Sequence, residues 1–327
     1  MDKRLLSFVI PCYRSQDTIG QVVAEIKATV EPRQPEYDYE VILVNDGSPD
    51  GTAAAITALC EKDPHLVFVN LSRNFGQHSA LMAGFGQVRG DIVICLDDDG
   101  QTPAEECFKL IDKVAQGYDI VFAQYAQRRQ SLARNLGSRF NAACNHFFFG
   151  QPKGLTSNSY FACQRFVVDS ALSYPNPFPY ITGLLLQSVS TYLNVPVTHR
   201  ARIQGESGYS LKKLIALWSN GVTAFSIKPL RLANYIGWFT AVFGFLFALV
   251  TIIAKLLNPA MQAGWASTLA VMLTLGGVII ALMGIVGEYV GRIYLSINRS
   301  PQYVVRNILD PRKQEGCHED HSRHLGA

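Results

Sequence analysis

The sequence predicts an α/β protein built on a doubly wound, mostly parallel sheet and continued by two helices that cross a membrane. Three observations carry this expectation. The first 125 residues alternate strand-like and helix-like patterns, as right-handed β-α-β crossovers require. Polar, turn-forming segments follow the strand-like runs, where such sheets bind ligands. Further on lie two uncharged stretches, Leu232–Ala254 and Ala266–Gly287, of 23 and 22 residues. Each exceeds the roughly 20 residues a helix needs to span the hydrocarbon core.

The strand-like runs are Leu6–Ile10, Tyr39–Val44, Leu66–Leu71, Asp91–Leu96 and Asp119–Phe122. Helix-like stretches lie between them, near 18–30, 52–62, 76–88 and 103–116. From about Gln124 to Arg202 the pattern loosens into an arginine-bearing segment and the proline-rich Tyr174-Pro-Asn-Pro-Phe-Pro-Tyr180, read as the acceptor side of a site. Residues 209–227 place Leu211, Leu214, Ile215, Trp218, Val222 and Phe225 on one helical stripe flanked by Lys212, Lys213 and Lys228. Such a stripe faces either a protein core or a membrane surface, and both readings stand. The expected organisation is a 1–207 domain, an amphipathic helix over 208–231, membrane helices at 232–254 and 266–287, and a tail over 288–327.

Composition agrees. Of 327 residues, 48% are hydrophobic and 17% charged, too apolar for an ordinary soluble enzyme. Lys228 and Arg231 precede the first span; Arg292, Arg299, Arg306, Arg312 and Lys313 follow the second, whereas the connection carries only Lys255. The positive-inside bias therefore predicts both termini in the cytoplasm, with Tyr235, Trp238 and Trp265 at the interfaces. Met1-Asp-Lys-Arg4 leads straight into a strand, so no signal peptide is expected. Seven scattered cysteines without a Cys-x-x-Cys pair predict reduced, buried thiols. A net charge of +3 argues against a nucleic-acid partner. The polar end, including Cys317-His-Glu-Asp-His321, reads as unstructured rather than metal-binding.

The chemistry-bearing segment is Asp97-Asp-Asp-Gly-Gln101, at the end of the fourth strand-like run. Carboxylates at i and i+2, Asp97 and Asp99, suit an octahedral Mg²⁺ or Mn²⁺ that also holds substrate phosphates. Other strand-end loops are Pro11-Cys-Tyr13, Asn45-Asp-Gly-Ser48 and Ser72-Arg-Asn74.

Val44-Asn-Asp-Gly-Ser-Pro-Asp-Gly-Thr52, Leu71-Ser-Arg-Asn-Phe-Gly76 and the Asp97/Asp99 pair, in this order and each after a strand, resemble the family 2 glycosyltransferases of the GT-A fold. Asn74-Phe-Gly-Gln-His-Ser-Ala-Leu-Met-Ala-Gly84, Arg128 with Arg134, Arg202-Ile-Gln-Gly-Glu-Ser-Gly-Tyr-Ser210, Lys228-Pro-Leu-Arg231 and Gly287-Glu-Tyr-Val-Gly-Arg292 are similar to the polyprenyl-phosphate branch. Within that branch the resemblance is nearest to the undecaprenyl-phosphate 4-deoxy-4-formamido-L-arabinose transferase group, and it spans about residues 5 to 306.

The resemblance implies an inverting enzyme that moves a sugar from a nucleotide sugar, by analogy a UDP-sugar, to a polyprenyl phosphate at the inner membrane. It implies that Pro11, Tyr13, Asp46, Arg73, Asn74 and Asp97 bind the donor, Asp46 at the base. Asp97, Asp99 and Gln101 would hold the metal, and Arg128, Arg134 and Arg202 the phosphates. It also implies a homotetramer, with the strand-like Tyr303-Val-Val305 pairing onto a neighbouring subunit. One departure stands out. Relatives commonly carry Gly-Asp and then an Arg where this chain has Gly154-Leu155 and Phe161, which bears on sugar identity and on any side-chain base.

Two other classes compete. A processive polysaccharide synthase usually shows a Gln-x-x-Arg-Trp motif and more spans, neither of which is present. A non-catalytic membrane scaffold or flippase partner has no need of the acidic loop.

Overall fold

Strand β1 (Arg4–Cys12) lies at the centre of the sheet, and its composition explains why: every residue from Leu6 to Cys12 is buried. A strand covered on both faces reads as a near-continuous apolar run, broken here by Ser7. The computed structural model describes residues 3–125, 154–198, 200, 228–257, 264–298 and 300–312. These form two compact units, one of 1–209 with 300–327 and the other of 210–299.

In the first unit the chain runs β1, α1 (Ile19–Val30), β2 (Tyr37–Asn45), α2 (Thr52–Cys60), β3 (Leu66–Leu71), α3 (Gln77–Phe85), β4 (Ile92–Cys95), α4 (Cys107–Ala115) and β5 (Ile120–Tyr125). β6 (Phe161–Gln164), α5 (Arg165–Leu172), α6 (Ile181–Gln187), β7 (Tyr192–Val197) and β8 (Val305–Leu309) follow. The eight strands are ordered β7-β5-β6-β4-β1-β2-β3-β8. β1 pairs in parallel with β2 on one side and β4 on the other. The strand order reverses between β1 and β4, and the crevice at the carboxyl ends of those strands is where an open α/β sheet takes its ligand.

The predicted strands and helices of the first 125 residues are present, within a few residues at their ends. Helix α3 is held close to the sheet by Gly84, where a Cβ would come within 2.5 Å of Val9 Cγ1 and 3.0 Å of Val44 Cγ2. The short strand β6 was not predicted. It inserts antiparallel between β4 and β5, setting Phe161 beside Cys95. Cys12, Cys60, Cys95, Cys107 and Cys163 are free and buried, as expected; Cys144 and Cys317 lie outside the described residues.

One expectation is corrected. The stretch after the second apolar helix was expected to pair with a neighbouring subunit. Instead β8 pairs antiparallel with β3 of its own chain, Phe68 opposite Leu309 and Leu71 opposite Val305. The physical reason is the edge: without β8, β3 would present unpaired N–H and C=O groups. Beyond β8, Arg312 binds Asp310 at 2.6 and 2.9 Å and also contacts the buried Glu40. Ser7 Oγ donates to Glu40 at 2.5 Å.

The second unit contains α7 (Lys228–Leu257) and α8 (Trp265–Ile297), helices of 30 and 33 residues. At 1.5 Å per residue each is about 45 Å long or more. Trp238, Phe239, Phe243, Ile280, Met283 and Val290 are all exposed. Both helices are long and apolar enough to cross a membrane. α7 approaches α8 at Gly237, where a Cβ would lie in ordinary contact, 3.9 Å from Leu282 Cδ1. α8 runs ten residues past the predicted end at 287, with Glu288 and Arg292 paired one turn apart at 2.8 Å. The stripe at 209–227 lies outside the described residues.

Candidate active site

The turn after β4 carries three consecutive carboxylates into the crevice between β1 and β4. Alternation along the chain separates their roles. Asp98 turns toward β1, where Oδ2 accepts the Tyr13 N–H at 2.9 Å and the Ser15 hydroxyl. It thereby ties the loop after β1 to the loop after β4. Asp97 faces the other way: Oδ1 accepts from Gln77 Nε2 at 3.2 Å, and Oδ2 accepts the Ser159 hydroxyl. Gln77 opens α3, and Ser159 stands two residues before β6, so both supports follow from the sheet order. Asp99 Oδ1 accepts the Gln101 backbone N–H at 3.0 Å.

Burial raises the cost of charging two of these acids. Burial, reinforced by Asp99 and Asp98, pushes Asp97 up to about 6, against the opposing pull of Ser159 and Gln77. Burial also raises Asp98, outweighing its bonds from Ser15 and Tyr13. The Tyr125 phenol is raised by burial and then by Asp97 and Asp99, which marks it as a neighbour of the acids. Among the described residues no cationic side chain enters the balance at Asp97 or Asp98.

Partly buried acidic oxygens that meet no cationic side chain among the described residues fit a hard divalent cation. Among the described residues, no group of three or more His, Cys, Asp or Glu side chains converges as a metal cage. Mg²⁺ sites of the nucleotide-handling kind need only one or two carboxylates, because substrate phosphates and water complete the shell.

The loops after β2 and β3 form the adjoining wall. Asp46 is buried, and its two oxygens accept the N–H groups of Phe75 and Gly76 at 2.7 and 2.9 Å. Burial raises its pKa in spite of those bonds. Asp46 was expected at a nucleotide base; in this structure it fastens the start of α3 to the β2 loop. Gly47 has φ +59°, and a Cβ there would come within 2.3 Å of Arg73 C and 2.5 Å of Asn74 N. The two loops can only touch because residue 47 is glycine.

Of the predicted site residues, Pro11 is buried at the end of β1 and Tyr13 is exposed above it. Arg73 and Asn74 are exposed on the β3 loop, with the Arg73 guanidinium over the Phe75 ring at 4.4 Å. Tyr13 and Asp97–Gln101 meet at the crevice, and Asp46, Arg73 and Asn74 line its β2–β3 side. Arg128, Arg134 and Arg202 lie outside the described residues. Sequence reasoning missed Asp98, Ser15, Gln77 and Ser159. The triple-aspartate run and the Gly154–Phe161 segment were both noticed, but not which side chain bonds which. Phe161, in the segment that departs from relatives, is a core residue against Phe122, ring centroids 5.7 Å apart.

Comparison with known proteins agrees with this geometry. The family model for glycosyl transferase family 2 matches residues 7–170. The chain belongs to that family. A second model, the GtrB C-terminal hairpin, matches residues 228–293. The chain is 36% identical over 310 residues to the undecaprenyl-phosphate 4-deoxy-4-formamido-L-arabinose transferase of Sodalis glossinidius (strain morsitans), covering 93% of this chain and 94% of that relative. Its counterpart in Serratia proteamaculans (strain 568) is 35% identical over 318 residues, 96% and 97% of the two chains. Glucosyl-3-phosphoglycerate synthase from Mycobacterium tuberculosis, solved with Mn²⁺ and uridine-diphosphate-glucose, has a TM-score of 0.52 at 19% identity over 67% of this chain and 77% of that one. At that identity the likeness is one of fold, and the fold is of GT-A type. This family 2 member is a glycosyltransferase.

Proposed function

We propose that this glycosyltransferase moves a sugar, with inversion, from a UDP-sugar to the phosphate of a polyprenol such as undecaprenyl phosphate. The product is a lipid-linked monosaccharide for envelope glycan or lipopolysaccharide modification. One observation carries the reading: an acidic turn at the switch point of a GT-A sheet belongs to the same chain as two helices fit to cross a membrane. The names of the relatives and the Mn²⁺–UDP-glucose complex of the structural neighbour point the same way. The chain is proposed to sit in the inner membrane with both termini cytoplasmic, as a homotetramer, with a catalytic domain over 1–207 and an interfacial helix over 208–231. The direct test is UDP release from candidate UDP-sugars, with and without polyprenyl phosphate. Release that depends on the lipid supports transfer, and its absence with every donor refutes it.

Asp97, Asp99 and Gln101 would hold Mg²⁺ or Mn²⁺, which when bound neutralises the leaving diphosphate. Asp98 keeps the β1 and β4 loops in register around the donor. Arg128, Arg134 and Arg202 would hold phosphates through forked, charge-assisted hydrogen bonds.

No side-chain base is required. A phosphate monoester has a second pKa of about 6, so the attacking oxygen is already anionic at neutral pH. Asp119 stands at the amino end of β5, opposite the acidic turn, and Asp169 on α5, which begins beside the amino end of β4; both have structural duties. Asp119 accepts the Ser190 and Thr191 N–H groups, both at 2.8 Å, and these bonds lower its pKa although burial opposes them. Asp169 pairs with Arg165 at 2.8 Å. Arg128→Ala and Arg134→Ala are expected to slow single-turnover transfer by about a hundredfold or more, whereas Asp119→Asn and Asp169→Asn stay within a few-fold once folding is matched. An acid variant that binds donor but loses as much of the chemical step as Arg128→Ala would reveal a base.

The charge on Asp97 also sets a stability trade-off. A folded-state pKa raised from 3.8 to about 6 means the fold favours protonated Asp97. The stability this confers is present below pH 3.8, is lost as pH rises through 6, and is absent at pH 7.5. Asp97→Asn is therefore expected to raise the Tm of cation-free protein at pH 7.5, by at most about 3 kcal/mol of stability, while abolishing transfer. Mn²⁺ should raise the Tm of the wild type and leave that of Asp97→Asn nearly unchanged. Thermal scans with and without Mn²⁺ decide it.

A further inference from the structure

Three asparagines stand side by side across three strands on one edge of the sheet. Asn45 ends β2 opposite Asn70 of β3, and Asn70 is opposite Asn307 of β8. Their side chains are linked head to tail. Ser48 N–H donates to Asn45 Oδ1 at 3.2 Å, Asn45 Nδ2 to Asn70 Oδ1 at 2.9 Å, and Asn70 Nδ2 to Asn307 Oδ1 at 2.9 Å. The direction of the row is fixed from one end. A backbone N–H can only donate, so Asn45 must present its oxygen to Ser48 and its amide nitrogen to the next residue.

The row ends in the donor wall. Ser48 follows Asp46 and Gly47, and its own hydroxyl accepts the Arg14 N–H at 2.8 Å, joining the β2 loop to the β1 loop. The same edge braces the β3 loop: Ser72 N–H donates to the Val304 carbonyl at 2.9 Å, and Arg306 Nη2 donates to the Ser72 carbonyl at 3.2 Å. Through Gly47 the β2 and β3 loops are in contact. The strand that returns after the two apolar helices therefore supports both loops from their outer side.

We infer that Asn70 and Asn307 are positioning residues for the donor site, and that β8 completes that site by fixing the 45–48 and 72–74 loops through the asparagine row. The inference rests on the donor-site reading given under Proposed function. Asn45 is buried, so loss of Asn70 leaves its amide without a partner and frees the turn that presents Asp46 and Ser48. Asn307 is exposed, so water can replace part of its contribution.

The test is UDP binding, by calorimetry with Mn²⁺, to the full-length protein in detergent, together with donor and acceptor KM values. One lost hydrogen bond with an unpaired buried partner corresponds to roughly tenfold in affinity. Asn70→Leu is expected to weaken UDP binding about tenfold and Asn307→Leu about threefold, each raising donor KM and leaving acceptor KM unchanged. Ile308→Ala, which trims an apolar β8 side chain outside the row, should lower Tm and weaken UDP binding less than either row variant. UDP affinity in Asn70→Leu and Asn307→Leu equal to the wild type, or reduced no more than in Ile308→Ala at matched Tm, overturns the inference. Asn307 lies at the surface, so its variant keeps the test open if Asn70→Leu fails to fold. Wild-type protein that does not bind UDP overturns the donor-site reading itself, and this inference with it.

Discussion

Asp99→Ala is expected to abolish transfer, by about a thousandfold or more, while the protein stays folded and membrane-bound. The reason is local chemistry. Asp97 and Asp99 are the two acids proposed to hold the cation, and Asp98 is already engaged by Tyr13 and Ser15. No third carboxylate stands ready among the described residues. The fold should survive, because Asp99 lies in the turn after β4, outside the buried strands, and its bond from the Gln101 backbone N–H is local to that turn. Circular dichroism and membrane fractionation check folding, and turnover with Mg²⁺ or Mn²⁺ checks activity. Near-normal turnover of wild-type enzyme in EDTA would count decisively against a metal at this turn.

The second large effect concerns the apolar helices. A polyprenol cannot leave the bilayer, so an enzyme acting on its phosphate gains by being held at the surface. Replacing unit 210–299 with a flexible linker, while keeping 300–312, is expected to leave UDP affinity near that of the wild type. Transfer to long-chain polyprenyl phosphate in vesicles should fall by about a hundredfold or more. The position of β8 dictates the design. Deleting everything after residue 227 also removes β8 and uncovers the β3 edge, so that truncation should lose thermal stability as well as lipid transfer. Full activity of the linker variant on long-chain lipid would show that the helices do not serve the acceptor.

The five strands of the first 125 residues were legible because a strand buried on both faces is a near-continuous apolar run, and β1 and β2 are, broken by Ser7 in the one and by Asp38 and Glu40 near the start of the other. The acidic turn was legible because three aspartates after such a run have no place in a core. β6 was not. It is four residues long, and its pairing with β4 and β5 joins segments far apart in sequence. β8 had a visible strand pattern near Tyr303–Val305, but nothing local distinguishes an edge in the same chain from one in a neighbour.

The same limit explains the site. Asp46 was recognised as a functional carboxylate, yet its partners, the N–H groups of Phe75 and Gly76, are some thirty residues away. The support of Asp97 by Ser159 spans 62 residues. Composition and spacing identify which groups can carry chemistry; long-range pairing decides which of them touch. The asparagine row is the extreme case, since Asn70 and Asn307 are separated by 237 residues and become neighbours only when the chain returns from the apolar helices.

The most direct test of the central claim is mass spectrometry of the lipid fraction after full-length protein is incubated with undecaprenyl phosphate, Mn²⁺ and a panel of UDP-sugars. The account predicts a new lipid whose mass is that of undecaprenyl phosphate plus one sugar residue, formed in step with free UDP and lost in Asp99→Ala. Release of UDP with no sugar on the lipid, or lipids bearing several sugars from one donor, would contradict it.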